Sequence, residues 1–246
     1  MLTPCTPPSR RQLARLALIV LLVLSIAGIL AQTHLAHAAD PAMTIPAPAV
    51  DATVPGDGVE TAVVAGGCFW GVQAVFAHVK GVTLAVSGYA GGTTIAPSYE
   101  AVSAGNTGHA ESVQITFDSK VISYGKILQV FFSVAHNPTQ LNYQGPDVGT
   151  QYRSAIFTTS AAQQHTAEAY IAQLSTAKVF RTPIVTEVSA LKMFYTAEDY
   201  HQDYAFLHPT EPYIVYNDLP KVARLQRIFA DLYRDAPALV RGKKAS

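Results

Sequence analysis

The stretch TAVVAGGCFWGVQAVFAHV, residues 61–79, constrains this chain more than any other. Thr61 to Ala65 is short, apolar and β-branched, the composition of a buried strand. Phe69, Val72, Val75, Phe76 and Val79 then recur at helical spacing. Gly66 and Gly67 stand between the two patterns, so Cys68 is predicted at a strand-to-helix turn. Unpaired N–H groups and the dipole at a helix start favour a thiolate there. The alternative is an inert buried thiol, because free cysteine packs like a small hydrophobe.

Val82 to Tyr89 reads as a second strand, and Ala110 to Asp118 alternates cleanly as a third. Ser123 opens a helix with Ile127, Leu128, Phe131, Phe132 and Ala135 on one face. The polar loop HNPTQLNYQGPDVGTQ leads into a strand from Tyr152 to Thr158. Ser160 and Gln163 have capping-box spacing for a helix reaching about Leu174. A strand from Ile184 to Ser189, a short helix near Thr196 to Tyr204 and a last helix near Leu219 to Tyr233 complete the pattern. Strands and helices mix without strict βαβ repetition. The predicted class is α+β: a two-layer mixed sheet with helices packed on it, a ferredoxin-like core with long loops.

The first 38 residues read as an address. Arg10 and Arg11 precede the run ALIVLLVLSIAGILA, and Ala36-His37-Ala38 follows it, the order of a secretory signal peptide, with the arginine pair suggesting the twin-arginine type. An uncleaved membrane anchor is the competing reading. Residues 39–60, rich in Pro, Ala and Gly, are expected to form a flexible linker, followed by one domain over 61–235 and a tail over 236–246. The expected localisation is exported and periplasmic. Formal charge is zero overall, but Arg10, Arg11 and Arg15 face no acid before residue 39, which leaves the body at −3. Such a body has no general attraction for nucleic acid. Cys5 lies in the leader, so Cys68 is the one cysteine downstream of it. Exported proteins normally use cysteine in pairs, and an unpaired thiol there points to function.

Glu111 strengthens that reading. In GHAESVQITFD, positions 111, 113, 115 and 117 share a strand face, and the last three are Val, Ile and Phe. A carboxyl buried on that side holds its proton near neutrality, as a general acid must; a register break would instead release it to water. Phe69 and Trp70 are candidates for an apolar wall beside the sulfur, or for plain core. Tyr89 lies at a strand end and Tyr152 at a strand start, where phenols can face a site, while Asp147 sits in a Gly-Pro turn that it could cap. The histidines show no metal-ligand spacing, so no metal is expected. His201 in AEDYHQDY reads as a packed or capping side chain.

GGCFWGVQAVF, VSGYAGG, SYEAVSAGNTGHAE, ISYGKIL, HNPTQLNYQGPDVGTQYRSAIF and AEDYHQDY, in that order, resemble the methionine sulfoxide reductase A family over about residues 61–207. The resemblance implies reduction of the S epimer of methionine sulfoxide, free or in oxidised proteins. It implies Cys68 as nucleophile, Glu111 as the acid protonating the sulfoxide oxygen, Tyr89 and Tyr152 as oxygen-binding phenols, Phe69 and Trp70 as a methyl pocket, and Asp147 as its polar partner. No bound cofactor is expected; electrons come from an external thiol reductant, a thioredoxin-like or glutaredoxin-like protein or a small thiol. A monomer is expected. Gln73, Asn137 and Tyr143 depart from the residues usual in the family and are expected to alter the rim, and no C-terminal cysteine stands ready to resolve an oxidised Cys68. Two rivals remain: a cysteine-dependent hydrolase pairing Cys68 with His109, and a noncatalytic binding module with an aromatic pocket.

Overall fold

The computed structural model describes residues 45–51 and 58–241. Strand β1, Val59–Gly66, is buried on both faces from Ala62 onward and so occupies the middle of a sheet. It turns directly into helix α1, Phe69–Ala77, and the chain returns along strand β2, Val82–Ala90. A five-residue helix α2, Tyr99–Ser103, interrupts the loop before strand β3, Ala110–Asp118. Helix α3, Tyr124–Val130, runs on as a single π-turn, Phe131–Ala135. A small hairpin of β4, Tyr143–Gln144, and β5, Asp147–Val148, precedes a 3-10 turn at Thr150–Tyr152 and strand β6, Ser154–Thr158. Then come helix α4, Ala161–Thr176, strands β7, Glu187–Ala190, and β8, Phe194–Thr196, and a 3-10 turn at Asp199–His201. Helix α5, Tyr204–Leu207, a π-turn at Ile214–Asp218 and helix α6, Leu219–Ile228, follow.

The sheet order is β7-β6-β1-β3-β2-β8, and its central four strands are antiparallel. The β-α-β-β-α-β sequence of β1, α1, β2, β3, α3 and β6 laid out as β6-β1-β3-β2 is the ferredoxin-like arrangement, with β7 added in parallel to β6. Strand alternation divides the core. Val64, Ile115 and Phe117 meet Val72, Phe76, Ile127 and Tyr170 on the helical side. Val63, Ala65, Ala155 and Phe157 form a smaller cluster on the other, roofed by Leu191 and Phe194.

Several expectations need correction. Residues 45–51 do not behave as a flexible linker. Ile45 is buried, Gln129 donates to its carbonyl at 2.7 Å, Tyr170 donates to the Pro46 carbonyl, and Asp51 accepts from the Gly125 N–H. One isoleucine in a Pro-Ala run suffices to anchor the segment, and polar side chains of α3 and α4 satisfy its backbone. Strand β1 likewise begins inside the expected linker. The expected tail returns over the domain too: Ala238 N–H donates to the Ala77 carbonyl, and the Val240 and Arg241 N–H groups donate to the Asp203 carboxylate. The predicted helix from Thr196 is instead the end of β8, a 3-10 turn and a four-residue helix, because Ser87 on β2 supplies a carbonyl partner for the Ala197 N–H. At Ser160 the hydroxyl accepts from the Gln163 N–H as expected, but the Gln163 carboxamide accepts from Thr159 and donates to Thr61, tying α4 to β1. The leader lies outside the described residues.

Candidate active site

Cys68 caps the N-terminus of α1, immediately beyond the end of β1. The two preceding glycines are required by space. A Cβ on Gly66 would lie 2.9 Å from the His136 ring, and one on Gly67, whose φ is +88°, would lie 2.5 Å from the Gln144 side chain. His136 is itself pinned, its ring nitrogens bonded to the Phe131 carbonyl and the Ser154 hydroxyl, and burial lowers its pKa to about 3. The turn carrying Cys68 therefore rests on a neutral, immobile ring.

Glu111 lies at the start of β3, directly opposite Tyr89 on β2, and is 2 % exposed. Its Oε2 accepts from the Phe69 N–H at 3.1 Å, which joins it to the first turn of the helix that Cys68 caps. Burial, with the Asp147 and Asp218 carboxyls nearby, pushes its pKa up to about 8 against the single opposing Phe69 bond. Glu111 is therefore largely protonated at neutral pH. Cys68 differs from the sequence expectation of a favoured thiolate. Burial first, then Glu111 and Asp218, hold its thiol well above the usual range, and the Trp70 backbone N–H and Lys221 oppose them without winning. The helix start is present, but desolvation and neighbouring acids outweigh it.

The other predicted residues converge on the same place. Phe69 is buried, its ring 5.9 Å from Tyr89 and 5.0 Å from His201. Trp70 is part-buried; it stacks on Tyr204 at 3.9 Å, meets Tyr213 edge-on and donates its indole N–H to His201 Nδ1. Asp147 does not cap its own turn; it accepts a hydrogen bond from the Tyr213 hydroxyl, and burial raises its pKa. Tyr152 ends a 3-10 turn rather than opening the strand, which starts two residues later at Ser154, and burial followed by Glu111 raises its phenol. Tyr89 has a partner the sequence did not suggest. Its hydroxyl donates to Glu198 at 2.7 Å, and the other Glu198 oxygen accepts from the Tyr99 N–H. Gln73 is not on the rim. It is buried, bonded to the Ala85 carbonyl, to Gln202 and to the Asp203 N–H.

His109 offers no base to Cys68, since both ring nitrogens are engaged with Gly92 N–H and the Thr94 carbonyl. The hydrolase pairing thus lacks its second member. Sequence reasoning missed Glu198, Tyr204, Tyr213, Asp218 and Lys221. A usable signal existed for the last pair, an acid and a base three apart at the start of a helix.

A buried thiol at a helix start, a protonated carboxyl bonded to the same turn and an aromatic wall suit two-electron reduction of a small polar oxide. A family model described as peptide methionine sulfoxide reductase matches residues 60–232. The chain belongs to the peptide methionine sulfoxide reductase A family. A relative named peptide methionine sulfoxide reductase MsrA 2 from Mesorhizobium japonicum is 61 % identical over 74 % of this chain and 94 % of its own length. Another of that name from Synechocystis is 48 % identical over 76 % of this chain and 89 % of its own. Among solved structures, methionine sulfoxide reductase A of Corynebacterium diphtheriae aligns with a TM-score of 0.55 at 35 % identity, covering 70 % of this chain and 86 % of that one. Reduced Mxr1 from Saccharomyces cerevisiae aligns at 0.56 and 31 % identity, covering 64 % and 90 %. As a methionine sulfoxide reductase, the chain reduces methionine sulfoxide to methionine.

Proposed function

We propose that the enzyme acts on the S epimer, free or within oxidised proteins, through a sulfenic acid on Cys68, and is recycled by an external thiol. The observation that carries the reading is the Phe69–Glu111 hydrogen bond, which holds a protonated carboxyl against the turn that bears the thiol. With substrate bound, Glu111 gives its proton to the sulfoxide oxygen and takes up the proton leaving Cys68. The thiolate attacks the sulfoxide sulfur and forms a sulfur–sulfur bond, and the protonated oxygen passes to the Cys68 sulfur as the old sulfur–oxygen bond breaks. The sulfur–sulfur bond then breaks with its electron pair left on methionine, giving Cys–S–OH. Methionine sulfur gains two electrons and cysteine sulfur loses two. Phe69 and Trp70 receive the methyl group, while Tyr152 and, after leaving Glu198, Tyr89 donate to the oxygen. Asp147, held by Tyr213, lines the polar side.

The single cysteine downstream of the leader sets the second half of the cycle. A reductant thiol condenses with the sulfenic acid, releasing water, and a second thiol opens the mixed disulfide to restore Cys68. That thiol comes from a thioredoxin-like or glutaredoxin-like protein or a small thiol, and the catalytic unit is a monomer. The leader directs export to the periplasm, with cleavage near Ala39; N-terminal sequencing of the cell-envelope fraction tests this, and an intact leader on a cytoplasmic protein refutes it. Reduced enzyme given excess substrate without reductant should release one methionine per enzyme, gain one oxygen at Cys68 and react with a sulfenic-acid probe. An unmodified Cys68 after methionine release overturns the mechanism.

A further inference from the structure

Beyond the machinery assigned above lies an ion pair that no step yet uses. Asp218 and Lys221 meet at 3.2 Å; the acid side chain is fully buried and the lysine 19 % exposed. They pack against α1 at Gly71, where a Cβ would lie 2.1 Å from Asp218 Oδ1 and 2.7 Å from Lys221 Nζ. Gly71 is three residues beyond Cys68, so the pair occupies the helix face one turn from the sulfur. Helix stability does not explain the lysine. It stands in the first turn of α6, where the dipole disfavours a cation. Nor is the acid fully satisfied, since its Oδ2 is buried without a hydrogen-bond partner.

We propose that Lys221 is the cation against which the Cys68 thiolate forms, and that Asp218 is the positioning residue that holds it there. The proposal rests on Cys68 being the nucleophile. The groups bearing on that thiol come from every side: Glu111 on β3, Asp218 and Lys221 at the head of α6, Tyr99 on α2, Tyr152 in its 3-10 turn, and Tyr213 beside Asp147. The phenols are held neutral, and the Glu111 and Asp218 carboxyls disfavour a negative charge on the sulfur. Lys221 opposes them, and Asp218 partly cancels it. A nucleophile left among acids alone would stay a thiol when the sulfoxide arrives; a lysine already held in place meets the charge without reorganisation.

The test uses the full chain. Iodoacetamide alkylation of Cys68 is followed against pH by peptide mass spectrometry, which separates it from Cys5. Lys221→Met is expected to move the alkylation midpoint up by about one pH unit, a tenfold slower reaction below the midpoint. Lys221→Arg restores it, and Asp218→Asn moves it down. Should Lys221→Met strand Asp218 and fail to fold, the Asp218→Asn/Lys221→Met double variant compared with Asp218→Asn alone reads the same upward shift. A midpoint that stays put when the lysine is removed overturns the proposal. Loss of reduction in Cys68→Ser is a separate measurement, so failure of the nucleophile assignment and failure of the lysine's role are told apart.

Discussion

Replacing Glu111 by Gln isolates the proton from everything else the side chain does. With a pKa of about 8, Glu111 is ~90 % protonated at pH 7, whereas an ordinary carboxyl at 4.5 would be under ~1 % protonated. Burial thus raises the available acid by roughly two orders of magnitude. Glutamine keeps the size, the neutral charge and an oxygen to accept from the Phe69 N–H, so the turn at Cys68 should stay where it is. It has no proton to give. The single-turnover rate of methionine formation should fall by about 10²- to 10⁴-fold, the usual scale for a lost general acid, with substrate affinity changed only a few-fold. Rapid-quench detection of methionine with reduced enzyme in excess measures the step directly. The same variant should alkylate at Cys68 over a lower pH range, because a carboxylate that opposes the thiolate is gone. A chemical step within tenfold of the parent refutes the assignment and places the proton source elsewhere.

Gly71→Ala would normally stabilise a helix, but here the added methyl strikes the buried Asp218–Lys221 pair; calorimetry should record a loss of about 1–3 kcal/mol, and a neutral or positive change refutes the packing. Stability against pH offers a signed test. His136, depressed to about 3, contributes stability that is whole above pH 6.5 and lost as pH falls; Glu111, raised to about 8, contributes stability that is whole below pH 4.5 and lost as pH rises. Between pH 7 and 5 the two oppose each other, so urea unfolding should change little in the parent and should fall by about 2 kcal/mol in Glu111→Gln. Asp203→Ala should cost about 1–3 kcal/mol, by urea unfolding, through the unpaired Val240 and Arg241 N–H groups, and Asp203→Asn much less; equal effects would show that the carboxylate is not their anchor.

The β1–α1 junction was legible because strand and helix periods meet there within a few residues, and the burial of Glu111 followed from strand alternation alone. What stayed hidden depends on distant chain. The ionisation of Cys68 is set by burial and then by Glu111 and Asp218, 43 and 150 positions away, which no local pattern brings to the helix start. Tyr213 reached Asp147 only when the chain after α5 folded back onto α1. Glu198 became Tyr89's partner because strand pairing of β8 with β2 displaced the expected helix. Gln73 read as a rim position by analogy, yet the 199–203 segment packs over it.

The docked C-terminal segment has a practical consequence for building on this enzyme. Arg241 donates its guanidinium to the Asp199 carbonyl, two residues from the histidine that holds Trp70, so the described chain leaves the body beside the pocket rather than across from it. A reductant module fused behind residue 246 on a short flexible linker would be tethered on that side, at an effective concentration on the order of millimolar. Recycling would then be independent of how dilute the partner is in solution. Fusion at an earlier truncation point would sacrifice the clasp on Asp203 that brings Val240 and Arg241 there.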